Sequence, residues 1–281
     1  MTTIKAFIKK HPLPTYFALT FAISWGAILI VVGPGGIPIT TDQVVMLGMA
    51  TLLGPSVAGI LLTGLASGRV GLRELLSRLL RWRVGARWYA VALLTAPLSA
   101  TAVLLALSLL SPEFLPGIFT SDDKATLLLM GIAGGLIVGF FEELGWTGFA
   151  ILRLRQRYGV LTTGLIVGLL WGAWHFIMFW ESDSFSGALP LALLLARLFS
   201  WLPAYRVLMI CVYDRTKSLL VAMLMHVSLV ASLMIIEPSL TGGSLLTYIL
   251  VRAAVLWVIV AAVAVANDGQ LSRQPLQRRE A

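Results

Sequence analysis

Long apolar runs separated by short polar stretches set the pattern of this chain. The runs cover 15–34, 43–66, 88–110, 125–151, 160–180, 188–212, 218–236 and 244–266. Each reaches or approaches the ~20 residues a helix needs to cross the hydrocarbon core of a bilayer. None shows the ~10-residue alternating segments of a membrane β-barrel. The pattern predicts an all-α, polytopic membrane protein with about eight transmembrane helices. They would form one membrane domain over 1–281, ending in a cytoplasmic tail over 267–281. Composition agrees: 58% of the residues are hydrophobic and 12% are charged, about half the charged fraction of a soluble domain.

The charged residues then orient the spans. Segment 67–87 holds Arg69, Arg73, Arg78, Arg81, Arg83 and Arg87, and segment 152–159 holds Arg153, Arg155 and Arg157. Lys5, Lys9 and Lys10 precede span one, which is read as a retained anchor, and Arg215 and Lys217 precede span seven. The opposite loops, 35–42, 111–124, 181–187 and 237–243, have only Lys124 as a basic residue. By the positive-inside rule, both termini of a multi-pass cell-membrane protein lie in the cytoplasm. The formal charge of +8 is accounted for by topology and by contact with anionic lipid, so no nucleic-acid partner is expected. Within the basic stretch "GLRELLSRLLRWRVG", Leu72, Leu75, Leu76, Leu79 and Leu80 recur at helical spacing between arginines. That predicts an amphipathic helix over 71–85 in the cytoplasmic interface. The single cysteine, Cys211, rules out an internal disulfide framework.

Against this apolar background a few polar residues stand out. Glu142 and Glu143 lie inside span four, His175 in span five and His226 in span seven. Ionisable groups at such depth are costly and face a bundle interior or a wet cavity. Adjacent helical positions point about 100° apart, so the two carboxylates have different tasks. One carboxylate with two imidazoles can activate water, the imidazoles orienting it or stabilising an oxyanion. Glu142, His175 and His226 can equally be written as ligands of Zn²⁺ or another divalent metal, with water in the fourth position. The residue types leave both open. Gly131, Gly135 and Gly139 line one face of span four, and Gly164, Gly168 and Gly172 one face of span five. Such faces allow close helix approach in lipid; spans four and five are expected to meet through them, bringing the glutamates to His175.

Three motifs in order resemble those of the CAAX-protease and bacteriocin-processing (CPBP) family of intramembrane metalloproteases, relatives of the type II CAAX prenyl endopeptidase. They are "EELGWT" from Glu142 to Thr147, "WGAWH" from Trp171 to His175, and "HVSLV" from His226 to Val230. The resemblance spans roughly 45–235 and implies a catalytic core over 125–235 with its cavity between spans four, five and seven. It implies that Glu142 activates the hydrolytic water, that Glu143 supports it, and that His175 and His226 complete the water or metal site. The substrate implied is a membrane-associated or prenylated-type protein or peptide. Two positions depart from the family pattern: Thr147 stands where arginine is expected, and Val230 where asparagine would donate to an oxyanion. Arg153 is too far along the axis to replace that arginine, while Ser232 is a candidate donor in place of the asparagine. Two other readings use the same residues: a non-catalytic relative that binds membrane peptides in an immunity or interaction role, and a proton-coupled transporter. The transporter reading lacks the internal repeat such proteins show. Oligomeric state is not legible.

Overall fold

A computed structural model describes residues 2–32, 41–181, 183–267 and 271. Among these the fold is all-α. The main helices are α1 (Thr2–Lys10), α2 (Pro12–Val32), α3 (Thr41–Leu79), α4 (Ala86–Ser108), α5 (Lys124–Gly145), α6 (Val160–Trp174), α7 (Ala188–Phe199), α8 (Leu202–Thr216), α9 (Leu219–Ile235) and α10 (Gly242–Val265). Of the tail expected over 267–281, only Asn267 and Leu271 are described; the rest lies outside the described residues, as do the last two positions of the first expected span.

Among the described residues, six stretches are long and apolar enough to cross a membrane: Pro12–Ile30, Gly48–Leu79, Ala86–Ser108, Lys124–Leu154, Ala188–Thr216 and Gly242–Val265. This is a polytopic membrane fold. Two further apolar helices are short, α6 with 15 residues and α9 with 17. At 1.5 Å per residue these measure about 22 and 26 Å, less than the ~30 Å core. The sequence reading drew span five to 180, because the side chains stay apolar that far. The helix instead stops at His175, which caps its C-terminus.

Local sequence explains the other interruptions. Gly68 takes φ 61°, a left-handed conformation that glycine adopts without a Cβ clash, and α3 bends there. The non-helical angles at Gly68 divide α3 into two helices, and the second ends at Leu79, inside the stretch of 71–85 expected to form an amphipathic helix. Leu75 is buried with Leu144, Leu219 and Met223, whereas Leu76 and Leu80 are exposed. Pro203 sits at the start of α8, where its missing N–H costs nothing. Asp123 caps α5, its Oδ1 accepting from the Thr126 amide at 3.0 Å.

Helix α8 is the central post. Every residue from Leu202 to Tyr213 is buried, as befits a helix apolar on all sides, and the Tyr205 hydroxyl donates to the Met225 carbonyl of α9 at 2.9 Å. The glycine faces serve different partners from those expected. A Cβ on Gly139 would stand 2.9 Å from the Val227 nitrogen and 3.0 Å from the Met223 oxygen, so the α5 face meets α9. The glycines of α6 face Val207, Pro203 and Leu198, so that face meets α8 and the end of α7. Spans four and five are thus not joined glycine to glycine. Small residues state only that a backbone comes close; they do not name which backbone.

Candidate active site

The two glutamates end α5 and point into different surroundings. Glu143 is fully buried and both its oxygens are engaged. Oε1 accepts from Arg206 Nη1 at 2.7 Å and from His226 Nδ1 at 2.8 Å. Oε2 accepts a short hydrogen bond from the Thr147 hydroxyl. Glu142 is 3% exposed. Its Oε2 accepts from two indoles, Trp171 Nε1 at 2.8 Å and Trp146 Nε1 at 3.2 Å. Its Oε1 receives no hydrogen bond among the described residues. Trp146 and Thr147 each lie four residues after the glutamate they bind, on the same helix face. The helix then widens into a π turn over Trp146–Ile151, a feature that often marks functional sites. The turn packs closely: a Cβ at Gly145 would overlap the carbonyl of Pro55 on α3.

Both histidines have their tautomer fixed by what they touch. His175 Nδ1 lies 2.8 Å from the Trp171 carbonyl oxygen, which can only accept, so Nδ1 carries the proton. His226 Nδ1 is held in the same way by the Glu143 carboxylate. In the neutral rings Nε2 is therefore the basic nitrogen of each. Trp171 joins the whole set. Its indole N–H binds Glu142 and its carbonyl binds His175. Its ring meets the His226 ring edge-on at 5.2 Å between centroids, and the Arg206 guanidinium lies 4.1 Å from the ring centre. Glu142, Glu143, His175 and His226 are thereby linked directly or through one residue.

Arg206 was not picked out in the sequence. It lies in the middle of α8, surrounded by apolar residues, and is fully buried. The signal that would have found it is the same depth argument that singled out the glutamates: a charge inside a span needs a partner. It brings a positive charge to Glu143 from another helix, while Thr147 occupies the remaining oxygen. Its Nε and Nη2 are buried without a hydrogen-bond partner. Arg153 is elsewhere, stacked on Phe149 with its guanidinium 3.5 Å from the ring centre.

Other sequence expectations fare unevenly. Ser232 donates to the Ser228 carbonyl at 2.6 Å, and Ser228 to the Leu93 carbonyl at 2.7 Å, so neither hydroxyl is free to serve an oxyanion. Arg197 pairs with Glu181 at 3.1 Å on the surface. Asp214 forms a buried ion pair with Arg155. The free Nε2 atoms are of the kind that metal-binding histidines present, with the other nitrogen held by a carboxylate or carbonyl. Yet among the described residues no three His, Cys, Asp or Glu side chains form a group able to hold a metal ion. Glu142, His175 and His226 are not gathered as such a group.

Comparison with known proteins points the same way as the motifs. Residues 124–232 match the family described as Type II CAAX prenyl endopeptidase Rce1-like. That stretch runs from the start of α5 through most of α9 and contains every residue of the network above. A CAAX prenyl protease 2 of Methanococcus maripaludis is 33% identical over 67 residues, which is 24% of this chain. The match spans 23% of that relative's length. The chain thus resembles the CAAX protease family across the segment that builds the site.

Proposed function

We propose that this protein is an intramembrane endopeptidase that hydrolyses a peptide bond in a membrane-associated or prenylated-type protein or peptide. The observation that carries the reading is the division between the two carboxylates. Glu143 is saturated by Arg206, His226 and Thr147, which suits a fixed anchor. Glu142 is held at one oxygen by two indole N–H groups, leaving the other for a water. In this reading Glu142 removes a proton from that water as its oxygen attacks the scissile carbonyl carbon. The C–N bond then breaks, and Glu142 returns the proton to the departing amine. The Nε2 atoms of His175 and His226 orient the water, or donate to the oxyanion once protonated.

In the same proposal α6 and α9 complete eight crossings and both termini face the cytoplasm. The three helices that supply Glu142, His175 and His226 bound the cavity, with α8 behind them. The test is turnover of a prenylated, membrane-anchored peptide by purified protein. Replacing Glu142→Gln is expected to abolish cleavage while leaving the thermal midpoint within a few degrees. Wild-type turnover by that variant would remove the base assignment.

A second reading has one observation in its favour. Val230 offers no donor, and both nearby serines are spent on backbone carbonyls. A peptide-binding relative without catalysis would bind the same substrate equally well with Gln or Glu at 142 and release no product.

A further inference from the structure

Away from the glutamate network, the molecule contains a polar cavity of about 600 Å³ beside the arginine-bearing segment that follows α5. The end of α1, the far half of α3 and the turn after α5 enclose it. Lys9, Lys10, Arg78, Arg153 and Arg157 line it, against a single carboxylate, Glu74. None of the five cations takes part in an ion pair among the described residues. The contrast with their neighbour is direct: Arg155, between Arg153 and Arg157 in sequence, is buried and neutralised by Asp214 at 2.5 Å.

Two of the cations are held firmly in place. Arg78 donates from Nη2 to the Gly148 carbonyl at 3.3 Å and from Nη1 to the Tyr213 hydroxyl at 3.1 Å. Arg153 donates to the Phe149 carbonyl at 3.3 Å and stacks on the Phe149 ring. Both guanidiniums thus rest on adjacent carbonyls of the π turn, with N–H groups to spare. Like charges fixed side by side in a recess repel unless an anion lies between them. A phosphate matches the planar fork of arginine and takes several donors at once.

From this geometry we propose that the cavity is a binding site for a phosphate-bearing anion, supplied by the headgroup of an anionic phospholipid at the membrane surface. Leu13, Leu152 and Ile166 line the same cavity and suit the glycerol end of such a lipid. The site is separate from the glutamate network and stands whether or not the chain is a peptidase. Its ligand contacts the π turn that follows Glu142 and Glu143, so occupancy would stiffen that turn.

The test uses the full chain in phosphatidylcholine nanodiscs, with and without a minority of phosphatidylglycerol, reading bound lipid by native mass spectrometry and the thermal midpoint. Wild type is expected to retain phosphatidylglycerol selectively. The Arg153→Gln/Arg157→Gln variant should lose about fivefold in affinity per charge removed. Lys9→Gln/Lys10→Gln, which changes only exposed side chains, should lose affinity similarly and guards against misfolding of the first variant. Arg69→Gln/Arg73→Gln removes the same charge from exposed positions outside the cavity and should bind as wild type. If inorganic phosphate competes and stabilises with the same dependence on these residues, the site stands and its source is soluble phosphate. Equal losses in the cavity and control variants, or no loss in either cavity variant, would overturn the proposal.

Discussion

Arg206 changes how the glutamate pair is read. In the π turn after α5, Thr147 leaves Glu143 without a cationic neighbour four residues on; across the bundle, α8 supplies one at 2.7 Å. Breaking one side of a fully buried ion pair costs about 3–5 kcal/mol, because the other charge is left without compensation. Arg206→Gln is therefore expected to lower the thermal midpoint strongly. The double change Glu143→Gln/Arg206→Met should recover much of that loss while remaining inactive. A double-mutant cycle with no coupling between the two positions would contradict the pairing. At Val230, four residues after His226 on the same helix, Val230→Asn is expected to raise peptidase turnover, by up to ~100-fold if it supplies one oxyanion donor. Unchanged turnover would mean that another group, Arg206 foremost, already fills that role. The glutamates and histidines were legible in the sequence because ionisable residues are rare in apolar runs. Arg206 is equally rare there, but it belongs to none of the three motifs, and only the packing of α8 reveals which carboxylate it meets.

At the scale of elements, the two short helices are the ones that carry the histidines. The sequence marks α6 by its apolar side chains, which continue to Trp180, so nothing in hydropathy announces the stop at His175. The stop is a backbone event, followed by a separate turn over Phe176–Phe179. Helix pairing was likewise only half legible. Glycine spacing identified the close-approach faces of α5 and α6, but their partners are α9 and α8, which come later in the chain. One close backbone contact beside the site is Gly145 against Pro55. Gly145→Ala is expected to destabilise the protein by about 1–3 kcal/mol through overpacking, whereas Gly26→Ala, which has open space for a Cβ, should change the midpoint little. Equal behaviour of the two would mean that α3 does not hold the end of α5. At the other end of α5, hydrogen bonds from Thr126 hold the Asp123 carboxyl below its ordinary range. A lowered value means that the cap contributes above the ordinary carboxylate pKa and is lost as pH falls through the lowered one. The protection factor of the Thr126 amide should therefore fall on acidification below that range, and Asp123→Asn should abolish that loss of protection.

For the molecule as a whole, membrane character and the all-α class follow from hydropathy alone, since lipid leaves few ways to satisfy a backbone. What hydropathy leaves undetermined is which helices meet, and that decides whether four motif residues become one site. Here the four are linked: Trp171 contacts Glu142, His175, His226 and Arg206, and His226 binds Glu143. Hydrolysis of peptide bonds in membrane proteins by this network is the proposal on which the other functional expectations rest. The most direct measurement compares protein termini in the membrane fraction of cells expressing wild-type protein or the Glu142→Gln variant at equal levels. A small set of new termini in membrane-associated proteins is expected with the wild type and absent with the variant. Identical termini in the two preparations would contradict it.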